Sequence, residues 1–243
     1  MNIKEMLDKE VKNRNKEDEI REDNLDPLIV AREYQNEKIA LICALFAYGN
    51  VKAIVKFLRS LDFDLLNVKD EEILKISNYY RFQKPQDVAN LFITLKRIDS
   101  IENIFYRGYK KEENVLDGLI EILKEFKKVN KYDSKGYQFL IGKIPTKKYK
   151  GESPYKRWNM FFRWMVRDDN IDLGLWKKVD KKDLIIPLDT HTFNVSRKLG
   201  LIDRKRYDLY SAILLTNKLK EFDENDPVKY DFAIYRLGQS GII

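Results

Sequence analysis

Apolar residues recur every three or four positions along most of the chain, the spacing that places them on one face of an α-helix. Residues 37–59 predict a buried helix, a break near Gly49 and Asn50, and a second, amphipathic helix. No stretch alternates apolar and polar residues for long enough to be a convincing strand, and Gly (10) and Pro (6) are scarce. The pattern therefore predicts an all-α protein.

Several further segments show the same periodicity, and their ends carry the expected signals. Pro85 stands in the first turn of a predicted helix, where the missing N–H of proline has no helical partner to lose. Asp99 and Ser100 mark the end of that helix. The charged first 23 residues predict a mobile segment or a surface helix. The remaining predicted helices are 69–79, 85–98, 112–130, 156–167, about 205–221 and 227–237.

The segment 186–201, IPLDTHTFNVSRKLGL, contains every part of a short helix with its caps. Asp189 is placed to accept hydrogen bonds from the first-turn amides. Arg197 and Lys198 suit the negative end of the helix dipole, and Gly200 is placed to end the helix. A new helix is therefore predicted to begin near Asp189.

Composition removes several classes of site and location. The chain has one cysteine, Cys43, and one histidine, His191, which excludes a disulfide framework and any metal site built from several thiolates or imidazoles. We expect no cofactor. The longest apolar run, Ile39 to Tyr48, has ten residues, about half of the roughly 20 that a membrane helix needs. The N-terminus lacks the apolar region of a signal peptide, so we expect a soluble cytoplasmic protein without membrane association.

Positive charge is concentrated in one part of the sequence. The whole chain of 243 residues carries a net charge of +7, but the stretch from Lys124 to Lys182 has 17 Lys+Arg and 7 Asp+Glu, so the rest carries −3. Such a concentration favours a surface for phosphate groups. A solvated face of Lys-rich helices would give the same count.

Two strings resemble the helix-hairpin-helix DNA glycosylase superfamily. The segment ESPYKRWNMFFRW is similar to the second helix of its hairpin motif, with Lys156 at the lysine position. The longer pattern FFRWMVR…DLGLW…IIPLDTHT…DPVKYDFAIYRLG is more similar still to an uncharacterised bacterial family of the DUF2400 type. The second string that resembles the glycosylase superfamily is the segment 186–201. The residues in it that match the superfamily phrase around the catalytic Asp are Asp189, Thr190, His191, Val195, Leu199, Gly200 and Leu201.

The superfamily resemblance implies a two-lobed fold with a cleft that holds Lys156 and Asp189. One lobe, residues 36–165, would be a helical barrel that ends in the helix-hairpin-helix. The second would combine residues 1–35 with 183–243, and residues 166–182 would be a connecting insertion.

The same resemblance implies a monomeric, nucleoid-associated base-excision repair glycosylase with Schiff-base lyase activity. Its partner would be double-stranded DNA that contains a damaged base, such as the oxidised purine 8-oxoguanine. The 33 residues that separate Lys156 from Asp189 are similar to the spacing in archaeal 8-oxoguanine glycosylases. Asp189 would stabilise positive charge on the sugar, and a neutral Lys156 amine would attack the anomeric carbon.

Further roles follow from the positions of the matching segments. Trp176, Asp231 and Tyr235 would bind a flipped base, and His191 would be a structural residue at the helix start. Tyr48 and Asn50 would contact or enter the duplex. The hairpin contacts to DNA would come from Lys148, Lys150, Ser153 and Arg157.

Other interpretations stay open at this point. Glu152 and Pro154 replace the hairpin glycines that let backbone amides approach a phosphate, which leaves hairpin binding in doubt. Asp189 could serve only as a helix cap, and Lys156 could be one more surface lysine. Trp176 could belong to the core, as we expect for Trp158, Phe161, Phe162 and Trp164. The chain would then be a non-catalytic nucleic-acid-binding protein, or a protein- or tRNA-binding one that keeps the motif for packing.

Overall fold

The computed structural model describes residues 2–239. Regular structure in this part of the chain consists of α-helices and four short 3-10 turns, and the only β-type pairing among the described residues is three isolated bridges. The prediction of an all-α protein is confirmed. The chain divides into two compact units, residues 20–144 and residues 1–19 with 145–243.

The unit of residues 20–144 is a continuous piece of chain built on eight helices. Side chains of Asn50, Ser100, Asn114 and Ser134 cap four of them by accepting hydrogen bonds from first-turn amides. The helices are α2 (Leu28–Tyr34), α3 (Glu37–Leu45), α4 (Val51–Arg59), α5 (Asp70–Ile73), α6 (Pro85–Lys96), α7 (Ile101–Tyr109), α8 (Val115–Val129) and α9 (Lys135–Ile141).

The predicted break after the buried helix lies where the sequence placed it. Every residue of α3 from Ile39 to Leu45 is buried, and Gly49 adopts a positive φ of 101° before Asn50 caps α4. Pro85 is the first residue of α6, as predicted. The helix predicted over 69–79 is shorter, because α5 ends at Ile73 and the chain then turns toward the bridge between Tyr80 and Gln83.

The second unit joins the N-terminal segment to the C-terminal part of the chain. Its first helix is a surface helix in which Leu7 is the one buried residue. Asp8 on this helix accepts a hydrogen bond from the Tyr230 hydroxyl at 2.7 Å. The helices are α1 (Ile3–Arg14), α10 (Lys156–Val166), α11 (Thr190–Lys198), α12 (Leu209–Lys220) and α13 (Tyr230–Gln239).

The observed boundaries differ from the predicted ones. The sequence placed residues 36–165 in one lobe, whereas α10 packs within the unit formed by residues 1–19 and 145–243. The physical reason is ion pairing, because Arg163 and Arg167 on α10 bind carboxylates of that unit. Residues 166–182 are likewise part of this unit rather than a separate insertion.

A buried ion network holds α10 in its unit. Arg163 Nε lies 3.2 Å from Asp172 Oδ1, and Arg167 Nη1 lies 2.6 Å from Asp172 Oδ2. Asp172 has a fully buried side chain, and burial raises its pKa although both arginines act in the opposite direction. The remaining contacts of the network are Arg163 with Asp231, and Arg167 with Asp169 and Asp226.

Arg167→Met should destabilise the protein by about 3–5 kcal/mol, because it leaves buried carboxylates without their cation. Urea denaturation followed by circular dichroism measures the loss. Lys177→Met is the matched control, since Lys177 pairs with Asp168 on the surface, where both side chains are 70% or more exposed. That change should cost less than about 1 kcal/mol, and equal losses in the two variants would contradict the network's role.

Candidate functional site

Lys156 is the first residue of α10. The chain enters this helix through Tyr155, which has a positive φ of 50° and is buried. The side-chain amide of Asn159 donates to the Pro154 carbonyl at 3.0 Å and fixes the turn. The local sequence therefore holds the base of the Lys156 side chain in one position while leaving that side chain only half-buried.

Asp189 is the N-cap of α11, as predicted. Its Oδ1 atom accepts a hydrogen bond from the Thr192 amide at 2.7 Å, and its carbonyl accepts one from Phe193. The residue before it is held as well, because the Tyr207 hydroxyl donates to the Leu188 carbonyl at 3.0 Å. Burial and the nearby Asp189 charge raise the pKa of Tyr207 to about 12. Tyr207 therefore stays protonated and keeps this hydrogen bond.

Asp231 lies in the first turn of α13 and pairs with Arg163. Its side chain is buried, and this burial raises its pKa to about 6. Arg163 and Lys156 favour the charged form, and Asp189 disfavours it. Lys156 and Asp189 are thus both close enough to Asp231 to affect its titration. We call Lys156, Asp189 and Asp231 the charge cluster.

The charge cluster brings together three elements that are far apart in sequence. The start of α10 supplies the amine, the N-cap of α11 supplies one carboxylate, and α13 supplies the other. A carboxyl group with a pKa of about 6 that responds to the charges of a lysine and of a second carboxylate is suited to proton transfer and charge stabilisation. All three residues were named as candidates from the sequence. The part played by Arg163 was not, because this arginine lies among apolar residues on the buried face of α10.

His191 and Tyr235 connect α11 to α13. His191 Nε2 lies 3.2 Å from the Tyr235 carbonyl oxygen, and the two rings meet edge to face with centroids 5.5 Å apart. Gly238 lets the helices come this close, because a Cβ there would lie 2.3 Å from Nε2 of His191. These contacts favour the structural role that we expected for His191.

Trp176 occupies a core position. Only 2% of its surface is exposed, and its ring packs against Phe161 and Phe162 with centroid distances of 5.4 and 6.0 Å. Its amide also donates to the Met165 carbonyl at 2.7 Å. A ring packed in this way offers no face to a flipped base, so the contacts of Trp176 favour the core role over the substrate-binding one.

The loop before α10 carries the predicted hairpin contacts. Lys148, Lys150 and Ser153 are exposed, and Arg157 is half-buried in the first turn of the helix. The Ser153 hydroxyl accepts a hydrogen bond from the Tyr155 amide at 3.4 Å. The sequence did not anticipate the position of Glu152, whose carboxylate accepts hydrogen bonds from the backbone of the same loop.

In the unit of residues 20–144, Tyr48 belongs to an exposed aromatic group. Its ring centroid lies 5.7 Å from that of Phe82 and 5.0 Å from that of Phe139. Phe82 is 52% exposed and Phe139 is 41% exposed. The Tyr48 hydroxyl donates to the Gln83 side chain, and the Arg81 guanidinium lies 5.7 Å from the Tyr48 ring centroid. Exposed rings with an arginine beside them are suited to stacking on bases.

Asn50 has a structural task in the same loop. Its side chain accepts hydrogen bonds from the amides of Lys52 and Ala53 at 3.0 and 3.3 Å, which caps α4. Sequence reasoning named Tyr48 and Asn50 but not Phe82 or Phe139. Phe82 and Phe139 could have been found as aromatic residues that stand among polar ones or where the helical periodicity is interrupted.

The described residues offer no metal site and no membrane-spanning helix. They contain no group of three or more His, Cys, Asp or Glu side chains that could hold a metal ion. None of their helices is both long and apolar enough to cross a membrane. Cys43 is buried in α3, and burial raises the pKa of its thiol, so it is not a reactive nucleophile.

The fold and these clusters define an all-helical protein with a polar, charge-bearing site at its helix ends. A model of one protein family, described as a protein of unknown function (DUF2400), matches residues 26–240. The chain belongs to this family. No curated protein matches the sequence significantly. No solved structure matches it significantly either.

The raised pKa of Asp231 gives a testable pH dependence. Its pKa is about 6 in the folded protein and about 3.9 in an unfolded chain. The folded state therefore holds the extra proton, so this contribution to stability is complete below about pH 4 and is lost as the pH rises through about 6.

Asp231→Asn cannot titrate. The difference in unfolding free energy, wild type minus Asp231→Asn, should therefore fall by about 2–3 kcal/mol between about pH 4 and 7. Urea denaturation at a series of pH values measures it, and carbon-13 NMR of the Asp231 carboxyl gives the pKa directly. A difference that is flat across this range would show that Asp231 titrates normally.

Proposed function

We propose that the protein is a DNA base-excision glycosylase of the helix-hairpin-helix type with Schiff-base lyase activity. The observation that carries the proposal is the charge cluster, in which Lys156 and Asp189 both affect the pKa of Asp231. The two residues that the resemblance names as catalytic thus share one electrostatic environment within one unit. An oxidised purine such as 8-oxoguanine in duplex DNA is the proposed substrate.

The chemistry divides between the two charged residues. Breaking the N-glycosidic bond sends its electron pair to the departing base and leaves positive charge on the sugar. The carboxylate of Asp189, which caps the first turn of α11, stabilises this charge. Lys156 then forms a bond from its amine nitrogen to the anomeric carbon, loses a proton, and gives a Schiff base when the sugar ring opens.

Asp231 and Tyr235 would serve the base rather than the sugar. They stand one helical turn apart on α13, a spacing that places them on the same face. Asp231 has a carboxyl group that can either accept or donate a hydrogen bond near neutral pH, because its pKa is about 6. Tyr48, together with Phe82 and Phe139, offers aromatic faces for contact with bases of the duplex.

Borohydride trapping tests the proposed reaction. Wild-type protein incubated with duplexes that contain 8-oxoguanine or other lesions should form a covalent protein–DNA adduct when the Schiff base is reduced. Lys156→Ala should abolish the adduct, and Asp189→Asn should lower the rate of base release by a factor of at least about 100.

Lys218→Ala is the matched control for the lysine, because Lys218 lies near the end of α12 and pairs with Glu221. It should trap like wild type. The proposal fails if no lesion in the panel gives an adduct, or if trapping survives Lys156→Ala.

A second candidate is a nucleic-acid-binding protein without catalytic activity. The observation that favours it is the altered hairpin, where the Glu152 carboxylate takes backbone donors that a phosphate would otherwise use. This candidate predicts salt-sensitive DNA or RNA binding that Asp189→Asn leaves unchanged, with no release of any base. Base release by the wild-type protein would exclude it.

A further inference from the structure

Two segments of the unit formed by residues 1–19 and 145–243 lie side by side before α10 and α12. The Gly151 amide donates to Asp208 Oδ2 at 2.9 Å, and the Leu209 amide donates to the Glu152 carbonyl at 2.9 Å. Gly151 also faces Arg206, since a Cβ at Gly151 would lie 3.0 Å from Nη2 of Arg206. These contacts join the loop 145–155 to the segment 203–208.

The joined segments carry many cations at the surface. We call this set the basic surface. Four of its members are exposed lysines on the two segments, and Arg206 is also exposed while Arg204 is half-buried. The basic surface consists of Lys147, Lys148, Lys150, Arg204, Lys205 and Arg206.

Asp208 is a buried carboxylate that binds residues of both segments. It is 1% exposed, and Arg204 binds it through Nε at 3.1 Å and through Nη2 at 2.5 Å. Burial alone would raise its pKa, but Arg204 and the amides of Gly151 and Ser211 together lower it to about 2. Asp208 is therefore ionised at any physiological pH, and it neutralises Arg204. It also pairs with Arg206, whose Nε lies 3.8 Å from Asp208 Oδ2 while the Arg206 side chain remains 69% exposed.

Tyr210 adds an aromatic ring between two cations. Lys150 Nζ lies 5.2 Å from the ring centroid and Arg204 Cζ lies 5.1 Å from it. Cation–π contacts of this kind hold the charged groups over a fixed spot instead of leaving them to move freely. The positive charge of Lys150 is thus positioned on the surface as well as exposed.

Glu152 fills the backbone donors of the loop. Its carboxylate accepts from the Thr146 amide at 3.1 Å, from the Lys148 amide at 3.3 Å, and from the Thr146 hydroxyl. Lys147 and Tyr149 have positive φ angles of 62° and 61°, which turn the backbone around this carboxylate. Converging backbone amides of this kind normally bind an external anion. Here an internal carboxylate takes its place and would repel a phosphate.

We propose that the basic surface binds the phosphate backbone of double-stranded DNA through the side chains of Lys150, Lys205 and Arg206. Side-chain cations thereby replace the backbone amides of the loop, which Glu152 keeps occupied. The choice of duplex DNA as the partner rests on the proposed function, whereas the location of the surface rests on the contacts above. Neither Lys205 nor Arg206 belongs to a recognisable motif in the sequence.

The test is duplex binding by fluorescence anisotropy with undamaged DNA between about 50 and 200 mM salt. Over this range the logarithm of the affinity falls linearly with the logarithm of the salt concentration, and the slope reports the number of phosphate contacts. Each of Lys150→Ala, Lys205→Ala and Arg206→Ala should weaken binding about tenfold and reduce the salt slope by about 0.9. Lys218→Ala is the control, since it removes one lysine from the far end of α12. It should leave affinity and slope unchanged.

A second variant tests the part played by Glu152. Glu152→Gln keeps a hydrogen-bond acceptor for the loop but removes one negative charge from the binding face. It should strengthen duplex binding by about three- to tenfold at low salt. Unchanged affinity would contradict the placement of this carboxylate beside the DNA, and circular dichroism melting checks that every variant is folded.

The outcomes separate this proposal from the glycosylase proposal. Undamaged DNA reports on the surface alone, so loss of binding without any trapped adduct would support the surface and refute the catalysis. If the three surface variants bind DNA like wild type and still form the trapped adduct, the catalysis is supported and the surface is refuted. Equal losses for Lys218→Ala and the three surface variants would overturn the proposal. So would a clear preference for RNA over duplex DNA.

Discussion

The pairing of Arg163 and Arg167 with four aspartates is the constraint on which the C-terminal unit depends. Isolated charges do not persist in a protein interior, because the loss of hydration exceeds any gain unless opposite charges meet with good geometry. Asp172 bridges both arginines and has no exposed side-chain surface. The pairing therefore fixes the rotation of α10 about its own axis, and with it the direction in which the helix presents its first residue, Lys156.

The same network sets the electrostatics of the charge cluster. Burial in this network raises the pKa of Asp231 and of Asp172, although the arginines act in the opposite direction. Asp231 is the member of the network that also responds to Lys156 and Asp189. A structural ion network and a candidate reaction site are thus continuous, and a change in one alters the proton balance of the other.

Much of this arrangement could be predicted from local pattern. The break between α3 and α4, the start of α6 at Pro85 and the cap of α11 at Asp189 each depend on a few adjacent residues. Asp231 and Tyr235 were accessible through their helical spacing. The helix α7 was not predicted, although Ser100 caps it and its apolar residues are buried. The boundary between the units was also placed too late in the chain.

The features that sequence reasoning missed depend on contacts between distant residues. Arg163 is an arginine within an aromatic helix, and only the positions of Asp172 and Asp231 explain it. In the sequence, Glu152 stands only as a replacement for a hairpin glycine. In the structure its carboxylate accepts hydrogen bonds from the backbone amides of the loop. Phe82 and Phe139 meet Tyr48 from separate elements. Trp176 was named for a base pocket with a core position left open, and its contacts with Phe161 and Phe162 favour the core position.

The joining of residues 1–19 to residues 145–243 has a consequence for the order of folding during synthesis. Residues 20–144 are contiguous and can fold as soon as they leave the ribosome, since domains generally fold as units from the N-terminus onward. The first helix must wait, because Asp8 finds its partner only after Tyr230 has been synthesised. The charge cluster is therefore completed only when α13 delivers Asp231 to a unit whose first helix was synthesised before residues 20–144.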